Sequence, residues 1–241
     1  MNTIQHLAQA KKPLIEVRDL VTRFDLKGGL LGRTTGRVHA VENVSFDIFP
    51  GETLALVGES GCGKSTVARS IMQLDRPQSG SIRYQGTELV GASNRDLRRF
   101  RRDAQMVFQD PFSSLNPRLT IAQALIVPIR LHRLGGSAAL RARAAALLAK
   151  VNLPSEYLER YPHAFSGGQR QRICIARALA LDPRLMIADE AVASLDVTIQ
   201  AQVINLLLDL QQDMGIAILF ISPDMAVVER HPPPLAAMSL A

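Results

Sequence analysis

No run of about 18 or more apolar residues occurs in the chain, which excludes a membrane-spanning helix. Cysteine is nearly absent. Cys62 and Cys174 are the only two; they build no disulfide framework and fit a reducing compartment. The opening residues, MNTIQHLAQAKKPLIEV, lack an apolar segment ahead of a small-residue cleavage site, so no secretory signal is expected. No internal repeat and no long coiled-coil insertion is visible. Acidic residues are outnumbered, 22 against 28 Lys and Arg, for a formal charge of +6. The basic residues are scattered except for Arg98, Arg99, Arg101 and Arg102, which read as a solvated helix face rather than a nucleic-acid platform.

What is present is core-forming material. With 47% of its 241 residues hydrophobic, the chain can bury one large α/β domain. Residues 12–24 alternate apolar and polar as a strand does. The stretch KGGLLGRTTG reads as a loop, and VHAVENVSFDIF as the second strand of an antiparallel pair. TLALV is short and wholly apolar, fit for a strand buried on both faces. Residues 64–74 are helix-like; GSIRYQGTEL and AQMVFQ read as strands. From about residue 120 to 153 the pattern is helical, and Pro111, Pro117, Pro128, Pro154 and Pro162 punctuate a compact helical insert. Strand–helix alternation then returns in LMIADE, VTIQAQVINLLLDLQQDM and IAILFIS. This pattern predicts a doubly wound α/β core carrying a helical subdomain.

The strongest motif is Gly58-Glu59-Ser60-Gly61-Cys62-Gly63-Lys64-Ser65-Thr66, which fits G-x-x-x-x-G-K-[ST] between a strand and a helix. Its glycines let backbone amides converge on phosphate oxygens, and the helix N-terminus adds positive potential. Lys64 is expected to reach the β- and γ-phosphates of a nucleotide such as ATP, and Ser65 to ligate Mg²⁺. Cys62 reads as a small spacer. Farther on, the apolar run RLMIADE ends in two acids, and a carboxylate at the carboxyl end of a parallel strand sits at the ligand crevice. Asp189 is expected to hold Mg²⁺ and Glu190 to polarise the attacking water. FSGGQRQR opens a helix at Ser166, a good N-cap, and its backbone amides also suit a second phosphate site.

The order of these motifs, phosphate loop, Gln109 in VFQD, SGGQ, then Asp-Glu, resembles the nucleotide-binding subunits of ABC transporters. The wording of FQDPFSSLNPR, RYPHAFSGGQRQRICIARALALDPRLMIADEA and DVTIQAQVINLLLDLQ resembles their peptide-importer branch, which handles dipeptides, oligopeptides and glutathione. VTRFDLKGGLLGRTTGRVHAVENVSFDI and DEAV are similar to the second ATPase half of glutathione-import ATP-binding proteins. The resemblance covers about residues 14–230. It implies a P-loop NTPase core of the ABC type, with an antiparallel β subdomain and a helical insert at about 111–165, in a nucleotide-binding domain spanning 12–232. A short Pro-rich tail at 233–241 follows, and the chain reads as shortened at its C-terminus relative to the family.

The same resemblance implies residue roles. Phe24 falls where the family stacks an aromatic on adenine, with a plain core-strand role as the alternative. Gln109 senses the γ-phosphate and Mg²⁺. Ser166, Gly167, Gly168 and Gln169 close over ATP held by a second ATPase domain, and Asp196 lies in a loop that contacts the opposite site. The implied partners are that second domain, two transmembrane permease subunits and, indirectly, a periplasmic substrate-binding protein. The implied place is the cytoplasmic face of the bacterial inner membrane. Where the family carries a histidine after the LFIS strand, this chain has Pro223, which has no ring hydrogen bond to offer and no backbone N–H. A second reading therefore stays open, a hydrolysis-deficient nucleotide-binding partner of an intact ATPase. A third, a soluble ABC ATPase outside transport, lacks the long insertions such proteins carry.

Overall fold

A computed structural model describes residues 12–28, 33–134, 136–222 and 235–239. The N-terminal strands β1 (Ile15–Gly28) and β2 (Arg33–Ile48) pair antiparallel, Ile15 facing Ile48 and Phe24 facing Val38. Both run on into the KGGLLGRTTG stretch expected as a loop, because the cross-strand ladder continues out to Gly28 and Arg33. Next come β3 (Thr53–Val57), α1 (Lys64–Ile71), β4 (Ser79–Tyr84) and β5 (Thr87–Glu88). The helix α1 stops short of residue 74, since Gln73 takes a left-handed φ of 51°. The strands β4 and β5 are a hairpin turned at Gln85-Gly86, and they extend the first sheet to the order β2-β1-β4-β5.

The helix α2 (Asn94–Asp103) carries the arginine cluster. Arg98, Arg99 and Arg102 are exposed, while Arg101 turns inward onto the carbonyls of Met72 and Gln73. After β6 (Ala104–Val107) the chain leaves the core through α3 (Pro111–Ser114), α4 (Ile121–Leu131) and α5 (Ser137–Lys150). Thr120 and Gln123 form a capping box at the start of α4. Pro128 lies inside this helix rather than at a boundary: burial of Leu125 and Ile129 outweighs the lost hydrogen bond. In α5 the buried positions Leu140, Ala144, Leu147 and Leu148, with Val151 at the C-cap, follow the helical period.

The core returns with α6 (Gly167–Ala178), β7 (Leu185–Asp189), α7 (Val197–Met214) and β8 (Ala217–Ser222). A final strand, β9 (Leu235–Ser239), pairs parallel with β3. The short Pro-rich tail expected at 233–241 thus carries a strand, the weakened form of the family's next strand that LAAMSLA resembles. The outer side of β3 offers a free row of backbone groups, and LAAMS takes it up. The second sheet is therefore five-stranded and parallel, in the order β6-β7-β8-β3-β9.

Period-two alternation divides the core between the faces of this sheet. Met186, Ala188, Ile218 and Phe220 join one cluster with α4 to α7; Leu185, Ile187, Leu219 and Ile221 join the other with α1, α2 and the first sheet. Strands buried on both faces have no polar side, which is why their sequences are continuous apolar runs. The carboxyl ends of β3, β6, β7 and β8 share one edge, and the loops that leave them carry the predicted site residues.

Candidate nucleotide site

The loop after β3 curls because three of its glycines adopt φ values that L side chains avoid: 155° at Gly58, 87° at Gly61 and 99° at Gly63. At Gly63 the approach is closer still. A Cβ there would stand 1.8 Å from the carbonyl oxygen of Ala40, so glycine is obligatory. Gly63 is the N-cap of α1 and offers no side-chain cap, so the first-turn amides of the helix are left for a ligand. Lys64 is 3% exposed, and its Nζ donates to the carbonyls of Gly58 (2.8 Å) and Glu59 (2.7 Å) with Cys62 Sγ at 3.6 Å. Among the described residues all three of these hydrogen-bond partners are neutral. Cys62 serves as spacer and contact in that ring. Cys174 sits far into the core, where burial pushes its thiol up to about 11 and keeps it unreactive.

Ser65 Oγ donates to Asp189 Oδ1 at 2.8 Å, joining the start of α1 to the end of β7. Burial raises the Asp189 pKa above the ordinary value; the Ser65 hydrogen bond opposes the shift and Glu190 adds to it. A buried carboxylate whose charge is disfavoured, next to a hydroxyl, suits a hard divalent cation, which takes oxygen donors and restores the charge balance. These residues therefore fit Mg²⁺. Glu190 has a left-handed φ of 47°, and its N–H donates to Ile221 O (3.1 Å), which turns its side chain off the strand and into the cleft wall.

That cleft has a volume of about 310 Å³, within the range of small-ligand sites. Gly61, Gly63, Lys64, Ser65, Thr66 and Glu190 line it from the core, and Phe24, Val38, His39 and Ala40 from the β1–β2 hairpin. Phe24 is 39% exposed and Val38 opposite it 45%, which removes the core-strand alternative for Phe24. Val38, His39 and Ala40 escaped the sequence reading. Thr22 faces Val41 while Arg23 faces His39, so Ala40 is an extra residue in β2, a bulge that breaks the alternation and brings consecutive side chains to one cleft.

The other predicted residues lie elsewhere. Gln109 follows β6 two residues past Val107, the partner of Ala188; it is exposed and does not line the cleft. Ser166 caps α6 in a capping box with Gln169, each side chain bonded to the other's backbone N–H. Asp196 caps α7 by accepting from the Ile199 N–H at 3.0 Å. The two helices start side by side: a Cβ on Gly168 would stand 2.5 Å from Ile199 Cγ2, and Arg172 Nη2 donates to Gln202 Oε1 at 2.9 Å. Thus the exposed Ser166 and Asp196 and the half-buried Gly167, Gly168 and Gln169 form one edge separate from the cleft. Pro223 lies outside the described residues.

The family model for ABC transporters matches residues 41–193. The chain is 56% identical over 229 residues to the glutathione import ATP-binding protein GsiA of Salmonella paratyphi A, and 58% identical over 229 residues to that of Escherichia coli K12. Each match covers 95% of this chain and 37% of the relative, so the chain spans little over a third of the length of these proteins. Among solved structures, the dimeric post-hydrolysis state of the ATP-binding cassette MJ0796 bound to ADP and Pi aligns with a TM-score of 0.79. It is 26% identical and covered over 94% of both chains.

Proposed function

The chain belongs to the ABC transporter family, and on that premise we propose that it binds and hydrolyses ATP to drive an importer of peptides or glutathione. One observation carries the proposal: the Lys64 ammonium, Ser65 with the buried Asp189 bonded behind it, and Glu190 meet at one cleft whose far wall is the exposed Phe24 and Val38. Phe24 and Val38 would hold the base. Gly58 to Thr66 would hold the phosphates, with Lys64 turning from the loop carbonyls to the β- and γ-oxygens. Ser65 and Asp189 would hold Mg²⁺, with Gln109 as a further oxygen donor. The ion, when bound, neutralises charge developing on the transferred phosphoryl group. Glu190 orients the attacking water and accepts its proton.

The edge formed by Ser166 to Gln169 and Asp196 gives this reading its second half. These residues cannot serve the cleft of their own chain. Placed against the cleft of a second ATPase domain, identical or homologous, they would close over its nucleotide through the first-turn amides of α6. Nucleotide affinity then differs between open and closed pairs, and that difference is what moves two permease subunits at the inner membrane, with a periplasmic binding protein delivering the cargo. Among the described residues no helix is long and apolar enough to cross a membrane, in keeping with a peripheral place on its cytoplasmic face.

The proline at 223 supports a second reading, in which the chain binds ATP, pairs with an intact ATPase and turns over slowly. One experiment separates the two. Calorimetry of purified protein with Mg-ATP is expected to give binding that Lys64→Ala abolishes. The second reading expects slow phosphate release that rises about ten- to a hundredfold in Pro223→His, the worth of one hydrogen bond to a charged group, whereas the first expects ready release by the unaltered chain. Absence of nucleotide binding at millimolar ATP would overturn both readings; fast release by the unaltered chain would overturn the second.

A further inference from the structure

Among the described residues the cleft contains one titratable side chain to which the nucleotide reading gives no task. Along β2, Val38 stands opposite Phe24, at the apolar end, and the Ala40 carbonyl abuts Gly63, at the phosphate-loop end. His39 lies between them on the bulged segment and lines the same cleft. Its ring is held from behind: Nδ1 lies 2.7 Å from Glu42 Oε1, and Glu42 in turn takes Arg23 Nε at 2.6 Å and Nη2 at 2.9 Å. Arg23 is fixed by its own main chain, whose N–H and carbonyl both bond the Gln78 side chain. The Arg23 pair, and after it the His39 contact, hold the Glu42 carboxyl down at about 2, so the anchor is a carboxylate at any working pH.

A carboxylate on Nδ1 fixes the proton there and leaves Nε2 as the ring atom for a ligand. The interval between an adenine platform and a triphosphate loop is where a nucleotide carries its sugar and α-phosphate. We propose that His39 is a nucleotide-contacting residue of this cleft, its Nε2 meeting the ribose–α-phosphate portion, and that Glu42 and Arg23 are positioning residues that hold the ring. The inference rests on the nucleotide reading of the cleft. In neutral form Nε2 accepts from a ribose hydroxyl; as a cation it donates to a phosphate oxygen. Either contact is common to ATP and ADP, which separates His39 from Lys64, whose reach is to the outer phosphates.

The test is calorimetry with ATP and with ADP on the whole chain and on His39→Ala, His39→Gln, Glu42→Gln and Lys64→Ala. His39→Ala is expected to weaken both nucleotides by the same factor, about fivefold for a half-exposed hydrogen bond. His39→Gln, which keeps a polar atom at the tip, should recover part of that loss, and Glu42→Gln should lose about half as much as His39→Ala. Because His39 is an exposed residue, its melting temperature should match the parent's. Equal affinities for His39→Ala and the parent, or a loss confined to ATP, would overturn the role of His39 while leaving the nucleotide site standing. No binding by the parent would overturn both.

Discussion

Two glycine-rich helix starts, at Gly58–Lys64 and Ser166–Gln169, look alike in sequence and differ in what they do with their backbone donors. The first has no side-chain cap, three left-handed glycines and a buried ammonium whose hydrogen-bond partners, among the described residues, are neutral. It is built to be completed by an anion. The second closes on itself, Ser166 and Gln169 satisfying each other's N–H, and only Gly167 and Gly168 keep amides without an intrahelical acceptor. Its glycines serve packing more than curvature, since Gly168 is pressed against Ile199 of α7. A turn that must enfold a ligand within its own chain needs conformational freedom; an edge that must meet another surface needs a fixed shape.

Substitutions should break this contrast in graded fashion. The largest effect belongs to Gly63→Ala, where a left-handed φ and a Cβ 1.8 Å from the Ala40 carbonyl leave no small adjustment. We expect a cost of about 3 kcal/mol or more in denaturant unfolding and no measurable ATP binding. Gly61→Ala has the strained φ but open space, so about 1–2 kcal/mol is expected there. An intermediate effect is expected for Gly168→Ala, about 1–3 kcal/mol of overpacking against Ile199 at an ordinary helical backbone. Ile199→Val in the same chain should restore part of it, whereas nothing comparable rescues Gly63→Ala. The smallest belongs to Ser166→Ala, about 1 kcal/mol from the lost cap, with ATP affinity of the isolated chain unchanged and closure onto a second domain weakened. If Ser166→Ala instead lowered the isolated chain's affinity as Lys64→Ala does, the separation of the two regions would be wrong.

Acidity offers a related contrast between two carboxylates. The Asp189 pKa is raised by burial, so protonation favours the fold: the ionised group costs stability, and the cost is relieved as pH falls through its folded value. Glu42 is the reverse, lowered from 4.5 to about 2, so its contribution is full above about 4.5 and lost as pH falls toward 2. The first pattern is that of a site residue waiting for a cation. The second is that of a surface anchor.

Much of this was legible in the chain. The order strand, phosphate loop, helix follows from TLALVGESGCGKST, because apolar continuity, glycine and a lysine at the helix start each act locally. The same holds for the cap at Ser166 and for the acids that end β7. The missed features all depend on a neighbour distant in sequence. Alternation in VHAVENV gives the strand but not the bulge at Ala40, which exists because β1 holds β2 in a register with one residue to spare. LAAMS is too short and weak to declare its pairing until β3 offers it an edge, and Pro128 reads as a break until Leu125 and Ile129 are buried on either side of it.

Sequence by itself determined the two cores, the phosphate loop and the acid pair, since hydrophobic period, glycine conformation and helix capping are decided within a few residues. Tertiary structure alone decided which residues share a cleft. It set His39 between the apolar platform and the loop, and kept Ser166 and Asp196 on a separate edge, because strand register and helix packing are fixed by contacts between segments far apart in the chain.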